Sequence, residues 1–326
     1  MARPARVLPV LFLGTLVAAL DIALIGPSLS AIEAAFGLTE RASAWILNAF
    51  ILANLVGLPF TARLGDVWGK RATFASCLSL LAVGSIIVAS APSISVLLIG
   101  RVLQGLGASG LFPMAAAVVG DVVTPARRGA ALGLLGSVFG LAFLIGPIIA
   151  GILVQTSWRL VFIAPLPLAL IVIAASLIVL PNTRLTDHER FDTRGALLLG
   201  AALLLGALGL TRFDALAGIA YNGVAALLIT GGAAFVWLYG RHAARAASPL
   251  IAPAFFARRQ VGLAALFSFG AGLVEALFVF LPKYCMVAYG VDRSEASYLL
   301  LPLVVCITAG APVAGRARFS PSDQRF

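Results

Sequence analysis

This chain of 326 residues is short of charge: Asp, Glu, Lys and Arg make up 11% of it, where a soluble domain carries about a quarter. So few charges cannot clothe a free-standing globular domain in water. Histidine is scarcer still. His188 and His242 are the whole complement, they share no ligand spacing, and no metal or other cofactor is expected. Cys77, Cys285 and Cys306 form no close-spaced pair and read as small apolar packing residues. No GxxxxGK[ST] phosphate-binding loop occurs, which excludes a nucleotide as an energy source held in cis. No nucleophile–base pair stands out either, so an enzyme is not expected.

What the chain has instead is apolar length. Hydrophobic residues reach 61%, and the mean hydropathy is +1.06. Ten apolar runs recur, near 7–29, 44–62, 72–90, 95–119, 129–154, 160–181, 195–211, 218–239, 260–281 and 296–315. Runs of this length cross a hydrocarbon core of about 30 Å. Backbone polar groups in lipid must be satisfied within the segment, so the runs are expected to be helices. The fold class is that of an all-α polytopic membrane protein, with the lipid bilayer as its first partner.

The net charge of +10 would suit nucleic acid if it formed one face. It does not. Of the 23 Lys and Arg, 17 lie in the N-terminus and the loops after even-numbered spans, five lie after odd-numbered spans, and Arg101 sits inside the fourth. That alternation is the positive-inside pattern. It predicts a cell (inner or plasma) membrane protein with both termini cytoplasmic, and it leaves no nucleic-acid face. The N-terminal "MARPARVLPVLFLGTLVAAL" has the basic-then-apolar form of a secretory signal, but apolar character resumes after Asp21 and nine more spans follow.

The ninth and tenth spans echo the first two. At a constant offset of 253, Gly290 falls on Gly37, Tyr298 on Trp45, Pro312 on Pro59 and Arg316 on Arg63. Just upstream, "LVEALFVFLP" parallels "LVAALDIALIGP", with Glu275 near the place of Asp21. The expected organisation is a six-helix bundle over 1–181, a cytoplasmic linker with two inserted helices over 182–259, and the first two helices of a second bundle over 260–326. By the same offset, about 110 residues of that second half would be missing after Arg316. The expected C-terminal half is therefore incomplete.

Four charges and two glycines crowd into "ARLGDVWGKRATF", between the second and third spans. Gly65 and Gly69 let the backbone turn tightly, Asp66 suits a helix N-cap or a positive dipole end, and Lys70 and Arg71 supply cations for headgroups and neighbouring carboxylates. "LGDVWGKR" resembles the loop signature of the major facilitator superfamily. Three further segments follow in the family's order. "RVLQGLGASG" carries Arg101, Gln104, Gly105 and Gly107; "GSVFGLAFLIGPIIAG" carries Gly136, Gly140, Gly146, Pro147 and Gly151 in the antiporter-type pattern; and "TSWRLVFIAPLPLAL" leads into the sixth span. With the two inserted helices, the pattern is similar to the 14-helix drug:proton antiporter family (QacA/EmrB-like exporters). The resemblance implies a major-facilitator-type helix bundle, a latch around Asp66 that holds one transport state, and an arginine at position 101 tied to proton coupling. Departures are Ala62, Val67 and Ala150, and, in the first span, Ala23, Gly26 and Ser30.

A charged side chain at mid-bilayer costs about 2.5–3.5 kcal/mol on insertion scales, so it is usually paired and functional. Asp21, Arg101 and Glu275 are the three such charges within the spans. At about 1.5 Å per residue, Asp21 lies about 12 Å below the outer end of its span, and Arg101 and Glu275 lie about 9 Å below theirs. Asp21 and Arg101 thus share a level and can meet, either as a structural pair or as a proton site whose affinity Arg101 sets. Asn48, Asn54 and Gln104 read as interhelical hydrogen-bond glue. The glycines of the fourth and fifth spans serve close helix packing, and Pro147 is expected to kink its helix.

The resemblance and the membrane acids together point to proton-coupled export of drugs or other small amphipathic molecules, with protons and a small-molecule substrate as partners. A metabolite facilitator or symporter, and an inactive truncated fragment, are the alternatives. The charge alternation makes the first prediction: single cysteines introduced at 188 or 242 should resist impermeant thiol reagents added outside intact cells. Labelling there would invert the topology.

Overall fold

The computed structural model describes residues 4–181, 192–213, 219–246, 248–251 and 258–290, with isolated positions between 302 and 313. Among these residues the chain forms eleven helices and no strand. They are α1 (Pro4–Phe36), α2 (Glu40–Trp68), α3 (Lys70–Ser90), α4 (Ile94–Ser109), α5 (Leu111–Val122), α6 (Pro125–Val154), α7 (Trp158–Ile163), α8 (Leu166–Val179), α9 (Thr193–Arg212), α10 (Ile219–Ala243) and α11 (Arg259–Tyr289). Local sequence sets many of their starts. Thr39, Ser93 and Ser157 place a side-chain oxygen on the first free N–H groups of α2, α4 and α7, and Pro125 opens α6.

Eight helical stretches are long and apolar enough to cross a membrane: α1, α2, α3, α4 with α5, α6, α7 with α8, α9 and α10. They match the first eight expected spans, with two corrections. The fourth and sixth spans are each two helices rather than one. Proline explains both breaks. Pro113 would press its ring on the carbonyl of Ser109, and the chain resets at Gly110, whose carbonyl accepts from Met114 N–H at 3.0 Å. Pro165 does the same between α7 and α8. Elsewhere proline is absorbed: α1 runs through Pro9 and Pro27, α2 through Pro59 and α6 through Pro147 without a break. The ninth span is helical as α11, while the tenth, 296–315, falls almost wholly outside the described residues.

Within the first six spans, α1 packs along α6 and α8, and α4 is wedged between α2 and α3. Two apolar cores result. One gathers Leu11, Phe74, Leu78, Leu111, Val118 and Leu135; the other gathers Leu24, Ile32, Ile46, Val88, Leu97 and Phe162. Outward faces stay apolar: Ile148, Ile152, Leu170, Ile171 and Ile178 are all exposed. A surface of this kind suits lipid rather than water. The hairpin of α9 and α10 leans on α2 through α9.

The base of that hairpin is tied by Asp192. Its Oδ1 caps α9 by accepting from Gly195 N–H at 2.8 Å and meets His242 Nε2 at 2.7 Å, while Oδ2 accepts from Leu250 N–H at 3.4 Å. Burial works against the Asp192 charge, but those hydrogen bonds, from Gly195 first and His242 next, hold its carboxyl below the usual carboxylate range.

Glycine makes the α4 seams possible. A Cβ on Gly105 would collide with the carbonyl of Phe50 in α2, and one on Gly107 would lie 2.5 Å from Leu81 N in α3. Gly146 abuts Ala23 of α1, with 2.7 Å to Ala23 Cβ from a modest added methyl. Gly140 is buried in α6 as well. Gly151 differs from the packing expectation: it is exposed, and a methyl there meets open space. Gly105→Ala should therefore cost about 1–3 kcal/mol by overpacking, and Gly151→Ala should be silent. Thermal unfolding in detergent, followed by monodispersity, checks the pair.

Candidate functional site

Between the two apolar cores, four helices bring polar groups together. Asp21 of α1 is 4% exposed, and Arg101 and Gln104 of α4 are fully buried. Arg101 Nη1 donates to Asp21 Oδ2 at 2.6 Å and to Gln104 Oε1 at 2.8 Å. Gln104 Nε2 donates to the other carboxylate oxygen, Asp21 Oδ1, at 2.5 Å and to Ser85 Oγ of α3 at 2.9 Å. Ser85 Oγ in turn donates to Leu81 O at 3.0 Å. Arg101 Nε donates to the backbone oxygen of Ile46 in α2 at 3.0 Å, and its guanidinium carbon stands 4.5 Å from the Phe50 ring centroid.

The local reasons are plain. Arg101 and Gln104 are three apart, one helical turn, so both face the same way. Gly105, beside them, lets α2 approach until the Ile46 carbonyl is within reach. Gly84 and Gly100 do the same for α3 and α4: a Cβ on either would lie about 3 Å or less from the other's carbonyl oxygen. The expected meeting of Asp21 and Arg101 is thus realised, and Gln104 is the glue it was read to be. One donor remains: Arg101 Nη2 is buried with no hydrogen-bond partner. Breaking such a pair by removing one member costs about 3–5 kcal/mol, because the other charge stays buried.

A second polar cluster lies at the end of the bundle where α2 turns into α3. Gly69 alone makes the turn, closing α2 and opening α3 with φ 88° and ψ 147°. A positive φ of this kind is costly for any residue with a Cβ. Lys70 Nζ reaches Asp121 Oδ2 of α5 at 2.6 Å and Ala117 O at 3.4 Å. Arg63 Nη1 meets Asp66 Oδ2 at 3.4 Å. Gly65 lies against Met114 of α5, whose sulfur stands where a Cβ would go. Arg71 follows in the first turn of α3, half-buried. The reading of Asp66 as a helix N-cap is corrected: it sits in the last turn of α2, and the N-cap position of α3 is Gly69, with no side-chain cap.

Some members were not found from sequence. Asp121 gave no signal beyond being a lone acid at the end of a span. Ser85 was hidden among apolar neighbours. Arg159, next to the buried Trp158, donates to Ala91 O at 3.0 Å and so ties α7 to the end of α3. The side chain of Glu275 lies outside the described residues, although α11 is helical there. Among the described residues no group of His, Cys, Asp and Glu could hold a metal ion. A lateral cavity of about 520 Å³ between α2 and the α9–α10 hairpin is lined by Trp45, Asn48, Thr211 and Arg212 with Ala44, Leu208 and Leu228. It does not include Asp21 or Arg101.

Comparison with known proteins is consistent across sequence and fold. The family model described as Major Facilitator Superfamily matches residues 11–322. The "Tetracenomycin C resistance and export protein" of Streptomyces glaucescens is 30% identical over 336 residues, covering 98% of this chain and 60% of that protein. "Multidrug resistance protein 3" of Bacillus subtilis is 26% identical over 313 residues, covering 94% of this chain and 60% of that protein. A "Multidrug resistance protein B homolog" of Mycobacterium tuberculosis is 28% identical, covering 95% of this chain and 58% of that protein. The chain therefore spans about 60% of the length of these curated relatives. Among solved structures, the proton:xylose symporter XylE superposes with a TM-score of 0.64 at 13% identity, over 95% of this chain and 68% of that one. At that identity the likeness concerns the fold.

The Gly69 turn and the Lys70–Asp121 pair should separate by stability. Gly69→Ala should cost about 1–2 kcal/mol through its positive φ. Asp121→Asn, which breaks a partly exposed pair, should cost about 0–1 kcal/mol. Melting curves of the two variants in one detergent check the order.

Proposed function

The chain belongs to the major facilitator superfamily, and we propose that it acts as a secondary transporter exporting small amphipathic molecules in exchange for protons. The single observation that carries the reading is the buried Asp21–Arg101 pair, set among four helices of a membrane bundle. A carboxylate there can take a proton only if its cation partner is released from charge balance, so protonation and helix packing are linked. Several relatives are named as multidrug or antibiotic export proteins, which supports the direction and the substrate class.

In this reading Asp21 is the proton carrier, Arg101 sets its affinity, and Glu275 is a second membrane acid on α11. Gly65, Asp66, Gly69, Lys70 and Arg71 form a latch on the cytoplasmic side, where both termini also lie. Gln104, Gly105 and Gly107 of α4, and Gly140, Gly146 and Pro147 of α6, line the helices that slide as the bundle rocks, while Gly151 faces outward. Residues 1–181 act as one bundle, 182–259 as a linker with its hairpin, and 260–326 as the start of a second bundle.

Asp21→Asn keeps the shape of the carboxyl but cannot exchange a proton. In proteoliposomes with an imposed proton gradient, the wild type should concentrate a fluorescent lipophilic cation. The variant should only equilibrate it, and it should melt below the wild type because Arg101 loses its buried counter-ion. Concentration at the wild-type rate by Asp21→Asn would overturn the coupling role.

A further inference from the structure

Gln104 lies between the two charges rather than beside them, and its amide uses both ends. Oε1 accepts from Arg101 Nη1 at 2.8 Å, while Nε2 donates to Asp21 Oδ1 at 2.5 Å and to Ser85 Oγ at 2.9 Å. Arg101 therefore grips one carboxylate oxygen only, and Gln104 grips the other. The arrangement fits an ionised Asp21, because both of its oxygens act as acceptors.

It does not fit the protonated acid at Oδ1. A hydroxyl there would face the N–H of Gln104, donor against donor. A half-turn of the amide about its last bond repairs that contact: Oε1 then accepts from Asp21 O–H. Ser85 can follow, since a hydroxyl rotates; it gives up Leu81 O and donates to the new oxygen. The same half-turn brings the amide NH₂ against Arg101 Nη1, which already serves as a donor. Arg101 then loses an acceptor at the moment its counter-ion is neutralised, with Nη2 already unpartnered. Asp21 Oδ2 still accepts from Nη1, now only as a neutral carbonyl, while the Ile46 carbonyl and the Phe50 ring, both on α2, keep their full hold.

We infer that Gln104 is a positioning residue whose amide reverses when Asp21 gains a proton, weakening the hold of α1 on Arg101 relative to that of α2. The inference rests on the proposed proton-coupled reading and names the part that converts protonation into helix movement. Among the described side chains no other charged group stands at this level. Of the elements packed against α1, α3, α5, α6 and α7 carry their charges at helix ends: Lys70 pairs with Asp121, Arg128 donates to Val123 O and Arg159 to Ala91 O, while Arg71 and Arg127 stand in the first turns of α3 and α6. α2 carries its described charges, Arg63 and Asp66, in its final turns, and α8 has none. On α1 itself, Glu33 lies twelve residues from Asp21, about 18 Å along the helix.

The test reads Asp21 directly. Difference infrared spectra of the full chain in liposomes are recorded through a pH titration, and the carboxyl band absent from Asp21→Asn is followed. In Gln104→Met, which keeps length but offers no hydrogen bond to the anion, the midpoint should move toward alkaline pH by about one unit, a tenfold change in proton affinity. Ser85→Ala, a smaller change that spares the direct contact, should move it less and in the same direction. In the wild type, the amide carbonyl band that Gln104→Met removes should shift as the carboxyl titrates.

Wild-type midpoints in both variants would make Gln104 mere packing and overturn the proposal. An amide band silent through the titration would overturn the reversal. A titrating band in the wild type and a displaced midpoint in Gln104→Met, together with full gradient-driven transport by Asp21→Asn, would support the positioning role while removing the coupling reading. Absence of any titrating band due to Asp21 would remove both.

Discussion

A charge held in the middle of an apolar bundle must be answered there, because the side chains packed around it are apolar. The rest of the first six spans is arranged around that condition. Asp21 and Arg101 can be buried only if every remaining lone pair and most N–H groups find partners, and those partners come from three directions. Ile46 offers Arg101 a backbone oxygen from α2, Gln104 offers both ions an amide from the helix that carries Arg101 itself, and Ser85 of α3 braces that amide with its hydroxyl. Each partner is within reach because a glycine lets two backbones close on each other. The polar node and the glycine seams are therefore one structural device.

Much of this was legible in the chain. The apolar runs located eight of the observed spans, since the length needed to cross lipid leaves little freedom. Counting residues from the outer ends of the first and fourth spans brought Asp21 and Arg101 to one level, and a helix has too regular a rise for that estimate to fail badly. Motif spacing pointed to Gly65, Gly69, Lys70 and Gln104. What stayed hidden depended on orientation. Sequence does not say which way an amide points, so Gln104 was legible as glue but not as a bridge between two ions. Asp121 and Ser85 lie 51 and 19 residues from their partners, with nothing local to mark them.

The two missed breaks have a different cause. Apolar length registers a span without registering its continuity, and Pro113 and Pro165 are as apolar as their neighbours. Only the stereochemistry of the ring against the carbonyl four residues back reveals the interruption. That helices run unbroken through Pro9, Pro27, Pro59, Pro147 and Pro282 shows that the rule acts through what the surrounding turn can absorb. Asp66 was misplaced for a related reason: the charged loop is shorter than its composition suggests. With Gly69 as the whole connection between α2 and α3, there is no loop for Asp66 to occupy.

That single-residue connection makes α2 and α3 a pair of rods on one pin. A helix of 21 residues is about 31 Å long, so a rotation of about ten degrees at Gly69 sweeps the far end of α3 through about 5 Å. The pivot sits beside the Lys70–Asp121 pair, which fastens α3 to α5 at its near end, where the lever arm is shortest. A weak bond there can hold against a small torque, yet once it slips the displacement is felt at the opposite face, near Ser90. A turn of α3 about Gly69 would thus, by length alone, carry a small change at one surface of the bundle into a larger one at the other, against the hold of Arg159 on Ala91.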